Sequence, residues 1–254
     1  MTEMTCTPRR PDYDAARYQN LTYEGDHKLA YLQTRSGAVD AMIDGLQQQR
    51  GRLRILEIAC GPGLSQVHLA RTHPQHLIVA IDQSAAMLQQ SAANIRAAGA
   101  TPRLARTTAL RLPFATGTFD MVFATRFIHI YPNPTTVLDE FRRVLRPGGT
   151  LAIEFYGRPY HLIAFLARRL KCPWRQFLWQ YPTIRRAQSV MGEPVQRVAV
   201  RLGGERWLRR ILGDRGVAFC LRHARNTPIQ LLVAEYFAIC SKEAEPAPRA
   251  PAAR

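Results

Sequence analysis

The sequence predicts an open, doubly wound α/β sheet whose strands are mostly parallel. Three observations predict it. Short apolar runs recur between residues 52 and 156, segments with helical patterning separate them, and the first run ends in the tight turn Gly61-Pro62-Gly63. Runs that are apolar throughout, rather than alternating, belong to strands covered on both faces. Right-handed crossovers then leave the doubly wound arrangement as the main option.

The elements follow in order. Residues 1–20 read as a loose arm with Tyr13 and Tyr18. Residues 26–49 form a helix with Leu29, Leu32, Val39, Ile43 and Leu46 on its apolar stripes, and Gly51 ends it. Arg52–Ala59 is the first strand, Leu64–Arg71 a helix, and His76–Asp82 the second strand. Ser84 caps a helix that runs to Ala98 and stops at Gly99. Pro102–Thr107 is a weak third strand and Phe119–Thr125 a fourth. Pro134–Leu145 is a helix halted by Pro147-Gly148-Gly149, and Thr150–Tyr156 is the fifth strand. Residues 157–204 break the rhythm and read as a helical insertion. Glu205–Gly213 is helical, while Val217–His223 and Leu231–Ser241 read as strands. The tail from Lys242 is rich in Glu, Pro, Ala and Arg and is expected to be disordered. The expected organisation is an N-terminal arm and helix (1–49), a core (50–156), an insertion (157–204), a C-terminal part of the core (205–241) and the tail (242–254).

Length and composition set the outer limits. The 254 residues suit one α/β domain with an insertion, and 46% apolar with 21% charged residues excludes collagen-like and disordered chains. No apolar run approaches the roughly eighteen residues of a membrane span. The polar Met1–Asp14 segment does not read as a secretory signal. Cys6, Cys60, Cys172, Cys220 and Cys240 are scattered and odd in number. They argue for a reducing, cytoplasmic setting and against a zinc site or a disulfide framework. The net charge of +16 is unusual, and only Lys28, Lys171 and Lys242 of the 35 basic residues are lysine. Either the arginines form a solvated surface, or the partner is acidic: an anionic substrate, a membrane surface or nucleic acid.

Open sheets bind ligands at the carboxyl ends of their strands. There the first turn reads Glu57-Ile58-Ala59-Cys60-Gly61-Pro62-Gly63, and Asp82 ends the second strand. Small residues at 59, 61 and 63 let a ligand approach the backbone, and a helix N-terminus follows. A carboxylate at 82 can accept from both hydroxyls of a ribose. The pair points to a nucleoside-containing cofactor. The dinucleotide fingerprint G-x-G-x-x-G/A is incomplete, because Leu64, Ser65 and Gln66 follow Gly63. No Tyr-x-x-x-Lys pair supports a nicotinamide oxidoreductase either.

The segments ILEIACGPG, AIDQSAAML, LPFATGTFDMVFATRFIHI and EFRRVLRPGGTLAIEFY, in this order and spacing, resemble the successive motifs of class I S-adenosylmethionine-dependent methyltransferases. The nearest flavour is the small-molecule group that includes the ubiquinone and menaquinone biosynthesis enzymes. The resemblance covers residues 50–156, with a looser match from Glu205 to Ser241. It implies a Rossmann-like seven-stranded sheet, mostly parallel with a C-terminal antiparallel strand, carrying a helical cap. It implies S-adenosyl-L-methionine as cofactor. Glu57, Ala59, Gly61 and Gly63 would hold its methionine end and Asp82 its ribose. Gln83 and Met87 would flank the adenine, with Thr108 and Ala109 near the adenine amino group. Thr125 and Arg126 would lie near the sulfonium. Two departures stand out: Ala59 replaces the first glycine, and Thr108 replaces the usual Asp.

Methyl transfer from a sulfonium mainly needs alignment of donor and acceptor. An oxygen acceptor also needs a base, and His129, beyond the fourth strand, is the candidate. A packed structural histidine is the alternative there. Glu57 as a strand-end ion pair and Asp82 as a helix cap are the alternatives for those residues. His68, His73 and His76 read as surface. From Phe155 to Gly192 there is no Asp or Glu, while arginines alternate with Tyr160, Phe165, Trp174, Phe177, Trp179 and Tyr181. This segment would cap the substrate, and His161–Leu170 could lie on an anionic membrane. The expected acceptor is therefore a small apolar or aromatic molecule, lipophilic or anionic, of quinone or natural-product type. The competing reading is a nucleic-acid-binding or nucleic-acid-methylating protein. Against it, ATRFIHIYPNP lacks the Asn/Asp-Pro-Pro-Tyr/Phe motif of DNA amino methyltransferases.

Overall fold

A computed structural model describes residues 26–128, 131, 134–157, 169, 196–202, 205–223 and 233–242. The elements in chain order are α1 (Asp26–Arg50), β1 (Arg54–Ile58), α2 (Leu64–Thr72), β2 (Leu77–Asp82), α3 (Ala85–Ala97), β3 (Leu104–Arg106), β4 (Phe119–Ala124), α4 (Thr135–Val144), β5 (Leu145–Tyr156), β6 (Gln196–Leu202), α5 (Glu205–Arg222) and β7 (Val233–Ser241). They form a seven-stranded sheet of order β3-β2-β1-β4-β5-β7-β6. The pairs from β3 through β5 are parallel, and β7 runs antiparallel to both β5 and β6.

β1 to β4 and β7 lie where the apolar runs predicted them, and β5 begins at Leu145, five residues before the predicted Thr150. All six residues of β4 are buried, which suits a central strand covered on both faces. One face packs Leu56, Ile58, Val122, Leu151 and Ile153 beneath α4, whose Val137, Leu138, Phe141 and Val144 are buried. The other packs Ile55, Met121, Phe123 and Phe237 against Val39 and Ile43 of α1. Each such side chain contributes about 1.5–3 kcal/mol. Ser84 caps α3 as expected, its hydroxyl accepting from the Met87 N–H.

Two elements differ from the sequence reading. Residues 196–202 lie inside the stretch read as a helical insertion, yet they form the edge strand β6. Their alternation of Val198 and Val200 is a strand period that the arginine-rich composition obscured. Conversely, 217–223 read as a strand, but 217–222 is the end of α5. Val217, Cys220 and Leu221 have helical spacing and pack together with Leu208. The rest of the 157–204 segment, apart from Gly157 and the helical Arg169, lies outside the described residues.

At the amino ends of the strands, Asp120 accepts from the Arg54 N–H at 2.6 Å and pairs with Arg146. There the chain's exit is also fixed. Lys242 accepts from the Gly148 N–H and donates its own N–H to Gly149, both at 2.8 Å. Among the described residues, no helix is long and apolar enough to cross a membrane.

Candidate active site

The strand order reverses between β1 and β4, so a crevice opens at their carboxyl ends. The turn after β1 has left-handed backbone at alternate residues: Ala59 (φ 55°), Gly61 (φ 55°) and Gly63 (φ 79°). The two glycines have different surroundings. A Cβ at Gly63 would collide with Ser91 of α3, so this position lets the turn and helix touch. A Cβ at Gly61 would meet no atom within 4 Å, so the open side of the turn faces the crevice. Asn94 of α3 secures the turn from behind, donating to the Pro62 carbonyl at 2.8 Å. Ala59 holds its left-handed conformation without glycine's freedom, at a cost of about 1–2 kcal/mol.

Asp82 ends β2 beside this turn. Its Oδ2 accepts from the Gly61 N–H at 3.0 Å, and its Oδ1 accepts from the Ser84 N–H at 2.9 Å. One carboxylate thus fixes the glycine turn after β1 and the start of α3, and lone pairs remain on both oxygens. Ser84, not Asp82, caps the helix.

Glu57 is only 1% exposed. Its Oε2 accepts from Gln66 Nε2 at 2.7 Å. Burial pushes its carboxyl up to about 7, and bonds from Gln66 and Ser65 and the charge of Arg35 oppose that rise. The charge of Arg35 thus reaches Glu57 only as a minor influence beside burial and hydrogen bonding. Arg35, on α1 and 4% exposed, also stands 4.0 Å from Glu154 of β5. Glu154 Oε2 accepts from the Arg126 N–H at 2.9 Å, and Arg126 itself has φ 49°. Arg35 therefore stands between the carboxylate at the β1 end and the one that fixes the turn after β4. Sequence reading missed both Arg35 and Glu154. The signal was available as a charged residue within an apolar helix stripe and another within an apolar strand.

A small cavity adjoins this group, lined by Arg35, Ser36, Val39, Ser65, His68, Leu69 and Thr125. The three histidines read as surface are placed otherwise. His73 and His76 are buried, and His68 lines this cavity. Asp40 of α1 joins His68 at 2.8 Å and His73 at 3.0 Å, so the histidines link α1 to α2.

The remaining predicted residues are placed as follows. Met87 and Ala109 are buried, whereas Gln83 and Thr108 are exposed. The Thr108 hydroxyl accepts from the Leu110 N–H at 3.3 Å and so shapes its own turn. His129 lies outside the described residues. Burial pushes the Cys60 thiol far up, with Glu57 and Asp82 adding to the effect, which leaves it inert as a nucleophile. Among the described residues, no cluster suits a metal ion.

Residues 56–153 match the family described as "Methyltransferase domain". Over 104 residues the chain is 38% identical to a malonyl-(acyl-carrier protein) O-methyltransferase of Legionella pneumophila, covering 41% of this chain and 36% of that protein. Over 124 residues it is 35% identical to a trans-aconitate 2-methyltransferase of Azoarcus, covering 47% and 46%. The chain thus matches less than half the length of these relatives. A SAM-dependent methyltransferase structure from Aquifex aeolicus superposes with a TM-score of 0.54 at 14% identity, covering 90% of this chain and 98% of that one, a likeness of fold.

Proposed function

We propose that residues 56–153, which match a methyltransferase domain, form a class I S-adenosylmethionine-dependent methyltransferase and that the whole chain transfers a methyl group to a small-molecule acceptor. The observation that carries this reading is the meeting of the open Gly61 turn with Glu57, Asp82 and Arg35 at the switch point. The residues fit the cofactor, because the turn is open at Gly61 and the carboxylates Glu57 and Asp82 lie at the ends of the two strands beside it. When bound, S-adenosylmethionine supplies an electrophilic methyl group on a sulfonium.

The chain's own residues divide the work by charge. Glu57 takes the ammonium of the methionine end and Arg35 its carboxylate, each exchanging hydration for a buried partner of opposite sign. Asp82 keeps the turn in place and accepts from the ribose hydroxyls with its remaining lone pairs. Gln83, Met87, Thr108 and Ala109 bound the adenine side. Thr125 marks the methyl side of the cavity. His129 is the proposed base for an acceptor that must lose a proton. A second imidazole competes for that role, since His68 lines the cavity together with Thr125 and is oriented by Asp40.

The acceptor we favour has an apolar or aromatic body. The interleaved aromatics of 157–204 support that, and the +16 charge favours an acceptor that also carries an acidic group. Relatives named for malonyl and aconitate acceptors point the same way. Free Cys60, Cys220 and Cys240 support a reducing, cytoplasmic setting. Calorimetry with S-adenosylhomocysteine, with NADH as control, tests the reading. Micromolar binding of the first alone supports it and opens a labelled-methyl screen of phenols, quinols and organic acids. Binding of NADH, or of neither, refutes it.

A further inference from the structure

The methyl-transfer reading leaves three exposed apolar side chains without a role. Among the described residues, the exposed large apolar side chains are Ile211 (58%), Leu212 (45%) and Phe219 (57%), and all three lie on α5. Gly213, with φ 63° and ψ 179°, kinks the helix just after Leu212. Past the kink, Phe219 shares a helix face with the exposed Arg215, four residues before it, and Arg222, three after. The His223 ring stacks on Phe219 with centroids 4.0 Å apart. The opposite face carries Val217, fully buried against the Leu208 and Tyr236 cluster. So α5 is anchored to the sheet along one side and presents an aromatic between two arginines along the other.

Three side chains are too few for a stable protein partner, which needs about 800 Å² on each side. They suffice for a bilayer, where a few apolar groups enter the interface and arginines remain at headgroup depth. The sign of the charge fits anionic headgroups. The chain carries +16, and α5 alone contains Arg206, Arg209, Arg210, Arg215 and Arg222 against Glu205 and Asp214. A nucleic acid would use the arginines but gain nothing from Ile211 and Leu212. We propose that α5 docks the protein peripherally on bilayers bearing anionic lipids, with Phe219 inserted among the headgroups. This differs from the His161–Leu170 site that the sequence suggested, and it stands independently of the cofactor reading.

Flotation of the full chain tests it, using phosphatidylcholine vesicles with and without one third phosphatidylglycerol. The triple variant Ile211→Ser, Leu212→Ser, Phe219→Ser keeps the net charge and changes only exposed positions. The wild type is expected to float with anionic vesicles alone. The triple variant should partition about tenfold less, with an unchanged circular dichroism spectrum. Should it misfold, Phe219→Ser alone should still lower partition about threefold. Equal partition of variant and wild type would mean that charge alone drives binding and would overturn the assignment to α5. So would an absence of flotation, or a dimer that the triple variant abolishes while vesicles are ignored.

Discussion

Replacing Glu57 with glutamine separates charge from shape at the proposed cofactor turn. In the wild type, burial holds this carboxyl at about 7 against an ordinary 4.5. At pH 6 it is therefore mostly protonated, and at pH 8 mostly ionised. An ammonium arriving beside it favours the ionised form, so binding expels the proton. If the bound state returns to the ordinary carboxylate range, affinity for S-adenosylhomocysteine at pH 6 is about tenfold weaker than at pH 8, or about 1.4 kcal/mol. Titration calorimetry in two buffers of different ionisation enthalpy reads this directly. Close to one proton should leave on binding at pH 6, and almost none at pH 8. Glu57→Gln should bind more weakly at pH 8 and show no slope. The ligand-free protein carries the matching signature. A carboxyl raised on folding stabilises fully below its unfolded value, and that advantage fades as pH rises through the folded one. Wild-type stability should thus fall between about pH 4.5 and 7 by up to about 3 kcal/mol, and the variant should not follow. A flat wild-type affinity, or an equal slope in both proteins, would refute the reasoning.

Arg35→Met removes the cation that acts on Glu57 and Glu154. It should cost about 3 kcal/mol and lower Tm by roughly 6–12 °C, with cofactor affinity falling too; a thermal melt within error of wild type would argue against that role. Asp82→Ala loses the bonds to both Gly61 and Ser84. Stability should drop by about 2 kcal/mol in denaturant, and S-adenosylhomocysteine should bind at least about tenfold more weakly; unchanged affinity rules out the ribose role. Gly63→Ala forces a Cβ onto Ser91 at a left-handed residue. Adding Ser91→Gly should recover about 1 kcal/mol of the loss, and strict additivity in the double-mutant cycle would show that the two do not meet.

The core of the fold was readable because β1, β2, β4 and β5 are buried by their own neighbours, and burial on both faces writes continuous apolar runs. The tight turn after β1 was readable because left-handed backbone selects glycine, and Gly61 and Gly63 carry that mark. Ala59 shows the limit, since its φ of 55° is invisible in an alanine. Arg35 and Glu154 were missed because their importance comes from meeting across 119 positions of chain, which no local pattern records. The histidines were misplaced for the same reason. Asp40, which gathers His68 and His73, lies on a helix outside the recognised motifs. At β6 and α5 composition competed with period, and the period was the better guide.

The reversed strand β7 gives the molecule two distinct poles. Because β7 runs against β5, Ser241 pairs with Thr150 and Lys242 is tied to Gly148 and Gly149. The chain therefore departs at the amino pole of the sheet, while the Gly61 turn and its carboxylates occupy the other. A tag, a tether or a fused domain attached beyond Lys242 is anchored a full strand length from the crevice. Immobilised at Lys242, the protein would turn the Gly61 end of its sheet away from the support.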